Sequence, residues 1–322
     1  MSRKQGKKRI TNYSYENVLS DDISKVTQLS LFDEEIRNAE CYKHDFVFKK
    51  IDSGNQREIE CFPGIYASRE FVKNMDNGRV KDEKKIKENN TRKKYKKFER
   101  SVHHNYKLGD WFLTLTFNDL YQTTTKEETI KALKQFLDSI NKKRKRRDLP
   151  AVKYIYVAEK GLRKGRWHIH LFMDTLLPIE EIRKSWGKRG FLEADPLAYR
   201  NQDGKENFVG LCRYLAKHKE DYPELYKKEA WDFITGHSQN LIKPEEKEYK
   251  TPIPKKAIKQ MAVKDKADQL EAARQTFEKK YKDYEVTDVQ VKVNPHYEGL
   301  YYISVRMQKR SGSNDKNKRV RI

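Results

Sequence analysis

The first clear signal along the chain is an alternation. In WFLTLTF (111–117), Leu113, Leu115 and Phe117 take one side of an extended backbone and Thr114 and Thr116 the other, which predicts a strand. The period then changes. Ile130, Leu133, Phe136, Leu137 and Ile140 recur at helical spacing. TKEE (125–128) precedes them as a capping box, with Thr125 as N-cap and Glu128 three residues on. The helix ends in KKRKRR (142–147), and Pro150 closes the connection. VKYIYVAE (152–159) predicts a second strand, KGLRKGR (160–166) a turn, and WHIHLFM (167–173) the returning strand of a hairpin. A shorter helix follows Pro178 through Glu181, Ile182 and Trp186. GFLEADPL (190–197) predicts a fourth strand, and NFVGLCRYLAKHKED (207–221) a helix stopped by Pro223.

The order is strand, helix, strand, strand, helix, strand, helix. Its first six elements follow a ferredoxin-like split βαβ unit. The fold class is therefore α+β. A central antiparallel-rich sheet carries helices on one face and leaves the other free for a site. Residues 1–50 are polar and weakly periodic, which predicts a loose basic arm. KDEKKIKENNTRKKYKKFER (81–100) predicts a basic helix. After Pro254 the pattern predicts one long charged helix over 255–283, then a hairpin of EVTDVQVKV and YYISVRMQ around NPHYEG, then a disordered tail. The expected division is 1–80 as a flexible or accessory region, 81–262 as the main domain and 263–322 as a C-terminal appendage.

Charge narrows the function. Lys plus Arg number 70 against 48 Asp plus Glu, a formal charge of +22. That surplus points to a polyanion, most often nucleic acid. Arg92, Lys93 and Lys94 in the first basic stretch, and Arg144, Arg146 and Arg147 in the second, are the candidate DNA contacts. No apolar run approaches the ~20 residues of a membrane span. MSRKQGKKRI is not followed by a hydrophobic signal core, so a cytoplasmic protein of a bacterial host, without a membrane partner, is expected. Cys41, Cys61 and Cys212 form no CxxC, which argues against a disulfide scaffold or a cysteine zinc site.

The chemistry centres on RWHIHLFMD (166–174). His168 and His170, two apart on a strand, share a face, while Trp167, Ile169 and Leu171 point to the other. Alone, such a pair is more often structural than metal-binding. Glu159 ends the preceding strand, however, and the hairpin folds it back toward His168. Two nitrogens, one carboxylate and open positions suit Mn²⁺ or Mg²⁺. Tyr214 and Lys217 in RYLAK share a helix face. Such pairs are common on surfaces, yet an adjacent ammonium favours phenolate and so a nucleophile.

FLTLTF (112–117), WHIHLF (167–172) and YLAK (214–217), in that chain order, resemble the three motifs of HUH-type endonucleases. These are the initiators of rolling-circle replication, and the likeness is to the plasmid and filamentous phage gene II protein type. SQNLIKP (238–244) also resembles a segment of that family, and the resemblance covers residues 92–262. It implies that the main domain, with its basic entry helix, is an endonuclease. Glu159, His168 and His170 then hold the metal. Tyr214 attacks the scissile phosphate of single-stranded origin DNA, leaving a 5′-phosphotyrosine and a 3′-hydroxyl that primes a host polymerase. Lys217 holds the phosphate or the tyrosine. Thr114 and Thr116 either support the metal site or touch DNA. Some related enzymes carry a second tyrosine where this chain has His218, so one nucleophile is implied. No GxxxxGK[ST] occurs, so unwinding falls to a host helicase. A relaxase or single-strand transposase of the same superfamily, or a non-catalytic DNA-binding module with a structural metal, are the alternatives.

Within the arm, QLSLF (28–32) resembles the pentapeptide by which bacterial proteins bind the replication sliding clamp. Leu29, Leu31 and Phe32 would fill an apolar cleft, with Gln28 hydrogen-bonded beside it.

Overall fold

The computed structural model describes residues 8–9, 42–67, 83–161, 165–198, 207–216, 234–250, 253–262, 265–293 and 301–310. The chain divides into two compact units, residues 93–244 and residues 1–92 with 245–322. In chain order the elements are β1 (Lys8–Arg9), β2 (Tyr42–Ser53), β3 (Gln56–Ala67), α1 (Glu83–Asn105), β4 (Trp111–Thr116) and α2 (Lys126–Lys145). Next come β5 (Tyr154–Lys160), β6 (Trp167–Met173), α3 (Ile179–Trp186), β7 (Leu192–Pro196), α4 (Val209–Leu215) and β8 (Ile234–His237). The last are β9 (Glu245–Lys250), α5 (Lys255–Ala262), α6 (Lys266–Lys280), β10 (Tyr284–Val293) and β11 (Tyr301–Lys309). The class is mixed α+β, with antiparallel sheets in both units.

In the unit spanning 93–244, the sheet order is β7-β4-β6-β5-β8, antiparallel throughout. The connection through α2 joins β4 to β5 across β6, and that through α3 joins β6 to β7 across β4. The expected capping box forms. Thr125 Oγ1 accepts from Glu128 N at 3.2 Å, and Glu128 Oε2 accepts from Thr125 N at 3.3 Å. The helical stripe Leu133, Phe136, Leu137 and Ile140 is buried against Leu113, Leu115, Ile169 and Leu171. Each such side chain contributes roughly 1.5–3 kcal/mol by leaving water. Trp186 closes this core. It packs on Phe117 and Phe136, and its indole donates to Thr116 O at 3.1 Å.

The second face of this sheet is not free. Phe98, Val102 and Tyr106 of α1 and its C-terminal flank join Phe208, Cys212 and Leu215 in a second core, over Ile155, Val157 and Phe172. The expectation of helices on one face is thus corrected. The basic stretch hides an i, i+4, i+8 apolar stripe, so α1 is amphipathic rather than wholly solvated. Strand β8 is a further addition at the β5 edge. A Cβ on Gly236 would fall 2.4 Å from the Tyr156 ring, so only glycine permits that approach. The SQNLIKP segment then ties the sheet to α1. Ser238 Oγ accepts from Tyr154 N at 3.1 Å, and Asn105 pairs with both backbone groups of Ile242.

In the other unit the sheet path is β10-β11-β3-β2-β9, and β1 also pairs with β3. Residues 42–50, expected in a loose arm, lie in β2. Phe46 and Phe48 are buried there with Ile59, Cys61, Ile303 and Val305 beneath α5 and α6. The single helix expected over 255–283 is two, because Asp265 caps a fresh start: its carboxylate accepts from Asp268 N at 2.9 Å. The C-terminal hairpin forms as read, but its strand β11 pairs with β3, so it shares one sheet with residues 42–67. Its turn, 294–300, and the tail, 311–322, lie outside the described residues. No helix among the described residues is long and apolar enough to cross a membrane.

Candidate metal and nucleic-acid site

Strand register assembles the site. Thr116, His168 and Glu159 lie directly opposite one another across β4, β6 and β5. One step along, Thr114, His170 and Val157 form the next row. Side chains two apart on a strand share a face, so both rows point the same way. His168 Nε2 is 2.9 Å from Glu159 Oε1, and His170 Nε2 is 3.5 Å from that same oxygen. One ligand atom from each of the three residues lies within 4.8 Å of the others, which makes them a possible metal site. The two imidazoles meet edge to face, 5.0 Å between centroids.

The surroundings fix this geometry. Thr114 Oγ1 lies 3.2 Å from His170 Nδ1, so the opposite ring nitrogen is aimed at Glu159. Phe112 stacks flat on His170, at 5.4 Å and 6°. Beyond the hairpin, Gly161 N donates to Arg166 O at 2.8 Å and holds the turn. His170 is 8% exposed and His168 22%, so the site opens toward the Thr116–His168–Glu159 row. A donor set of two imidazoles and one carboxylate, with one imidazole already oriented from behind, fits a divalent cation.

Tyr214 is 41% exposed on α4. That helix shares a buried cluster with Ile155, Val157 and Phe172, on the sheet face that carries both histidines. A residue that the sequence does not single out holds it there. His103, buried on α1, has Nδ1 3.0 Å from Glu99 O and Nε2 3.0 Å from Phe208 N. A carbonyl only accepts, so Nδ1–H donates to Glu99 and Nε2 accepts from Phe208. The imidazole thus caps the start of the tyrosine helix. Phe112 is the other omission. Its signal was present, because period two puts it on the face of Thr114 and Thr116. Lys217 and His218 lie outside the described residues, as do Gln28, Leu29, Leu31 and Phe32.

The basic candidates divide. Arg144 is corrected: it is fully buried, paired through both terminal nitrogens with Asp174 and hydrogen-bonded to Pro150 O at 3.3 Å. It cannot reach DNA. Arg147 pairs with Glu181 at 2.5 Å, and Lys143 donates to Glu181 O and Ser185 Oγ. These contacts dock α2 on α3. Arg146 is exposed but caps the same helix end, on the face away from the histidines. Lys93 and Lys94 are exposed on α1, which packs on the histidine face. The side chain of Arg92 lies outside the described residues. Thr114 serves the imidazole, and Thr116 Oγ1 donates to Phe191 O at 3.2 Å.

Residues 110–220 match the family of replication-associated proteins typified by ORF2 and the gene II protein. This is the kind of family that the order of the three motifs implied. The matched segment begins one residue before β4 and runs past α4, so it contains Glu159, His168, His170 and Tyr214. Comparison with curated proteins and with solved structures gives no match.

Proposed function

We propose that this protein is a rolling-circle replication initiator that nicks and rejoins single-stranded DNA through a 5′-phosphotyrosine. One observation carries the reading: Glu159, His168 and His170 converge on the open part of a sheet face, within the segment that matches the replication-associated family. The strand order β7-β4-β6-β5, with its two skipping helical connections, supports the ferredoxin-like arrangement of HUH endonucleases. The α4 helix on the same face supports Tyr214 as the nucleophile.

A divalent cation on Glu159, His168 and His170, Mn²⁺ or Mg²⁺, would polarise the scissile phosphate as a Lewis acid. Thr114 keeps His170 turned toward that position. The Tyr214 phenolic oxygen attacks phosphorus and loses its proton, and the bond from phosphorus to the 3′ oxygen breaks. The 3′ oxygen takes a proton and leaves as a hydroxyl, the primer for a host polymerase. Attack of a 3′-hydroxyl on the phosphotyrosine reverses the step and rejoins the strand. Lys217 neutralises the phosphate, and a host helicase unwinds the duplex.

The test is incubation of the full chain with labelled single-stranded origin DNA and Mn²⁺, followed by denaturing electrophoresis. A covalent adduct is expected, absent with chelator and absent in Tyr214→Phe, which still binds DNA. An adduct of undiminished yield in Tyr214→Phe would remove Tyr214 from the mechanism.

A further inference from the structure

Phe191 is 68% exposed, so folding gains little from its ring. Its backbone is nevertheless closely held. Phe191 O accepts from Thr116 N at 3.0 Å and from Thr116 Oγ1 at 3.2 Å. A Cβ on the preceding Gly190 would fall 2.1 Å from Thr116 O, so glycine is needed for the approach. The following Leu192 lies opposite Leu115 and is buried in the α2-side core. Period two therefore turns Phe191 to the other face, that of the histidines. It continues the row Thr116, His168, Glu159 by one strand. Two strand spacings, about 10 Å, separate it from His168.

Its neighbours are of one kind. Leu120 and Tyr121, 90% and 47% exposed, stand in the loop after β4. Asn118 ties that loop to the Phe191 segment, with Nδ2 donating to Lys188 O at 2.8 Å and N to Arg189 O at 2.9 Å. Lys188, and Lys160 at the end of β5, are exposed at this end of the sheet. A fixed, solvent-facing aromatic ring flanked by cations suits a nucleobase whose own phosphates are held nearby.

We propose that Phe191 is a stacking platform for an unpaired base of the single strand, lying beside the phosphate presented to Glu159, His168 and His170. The occupant is single-stranded DNA, because duplex bases have no free face to offer. The inference rests on the reading that this site acts on single-stranded DNA. It assigns Phe191 a share in selecting strand state and in setting which phosphate reaches Tyr214.

The experiment measures binding of the full chain to a dye-labelled single-stranded oligonucleotide and to its duplex, by anisotropy, in EDTA. Phe191→Ala and Phe191→Leu should each weaken single-strand binding about tenfold and leave duplex binding unchanged, and Phe191→Trp should restore it. A 2-aminopurine walked along the oligonucleotide should be quenched at one position by wild type and not by Phe191→Leu. Single-strand binding by Phe191→Leu equal to wild type, or an equal loss for single strand and duplex, overturns the inference. Tyr214-dependent adduct formation is scored separately. A normal adduct with Phe191-independent binding sinks the platform alone, and Phe191-dependent binding without any adduct sinks only the chemistry.

Discussion

Replacing Thr114 by valine tests whether the imidazole of His170 is a ligand held from behind. Valine keeps the β-branch and the strand preference, so β4 should be unaffected. Only the oxygen 3.2 Å from His170 Nδ1 is lost. If Nε2 is the ligating nitrogen, Nδ1 carries the proton and donates to Thr114. Losing such an orienting bond typically costs 10–100-fold in metal affinity, about 1.4–2.7 kcal/mol. The Phe112 ring, stacked on His170 at 5.4 Å, still restricts the imidazole. The expected loss is therefore at the lower end, about tenfold. Calorimetric titration of the full chain with Mn²⁺ measures it, and a denaturant melt checks that stability is kept. His168→Ala and His170→Ala serve as controls that should abolish binding without unfolding the protein. An unchanged Mn²⁺ dissociation constant in Thr114→Val, with both controls behaving, would refute the assigned ligand geometry.

Three further outcomes are expected. Arg144→Ala strands Asp174 and should lower stability by about 3 kcal/mol in a denaturant melt, while leaving the salt dependence of DNA binding intact; a stable variant with a flatter salt response would restore Arg144 as a DNA contact. Lys93→Ala and Lys94→Ala should each reduce the single-strand salt slope by about 0.7, and Arg146→Ala should not; the reverse ranking would move the strand to the other face of the sheet. A labelled peptide of residues 24–36 should bind purified bacterial sliding clamp saturably, and replacing Leu31 and Phe32 with alanine should abolish this without affecting nicking; a flat titration would return QLSLF to an ordinary apolar segment.

Local chemistry was legible in the sequence where its partners are close along the chain. Glu159 and His168 are nine residues apart across a tight turn, and period two alone aligns them. Thr125 and Glu128 cap their helix from within one turn. What escaped depends on distant partners. Arg144 belongs to a run of six basic residues, and nothing local marks it as the buried one; Asp174, thirty residues away, decides that. Phe98, Val102 and Tyr106 are spaced for a helix face, but lysine and arginine between them made the stretch read as solvated. Phe46 and Phe48 alternate within a polar segment, and their strand gains its meaning only from β9 and from the hairpin near the C-terminus.

The histidine face shows why the site is open only in part. Along β4 the side chains run Phe112, Thr114, Thr116; along β5, Ile155, Val157, Glu159; along β6, Phe172, His170, His168. Each strand passes from apolar to polar in the same direction across the sheet. The apolar part is roofed by α1 and α4, and the polar part is left to a ligand. A helix as short as α4 does not hold itself. Phe208, Cys212 and Leu215 seat it, and His103 accepts from its first backbone N–H. His103, Phe98 and Val102 all precede residue 110, where the family match begins. The matched segment therefore carries the proposed ligands and nucleophile, while the helix before it sets where the nucleophile stands. Variation in α1 would move Tyr214 without touching any residue of the motifs.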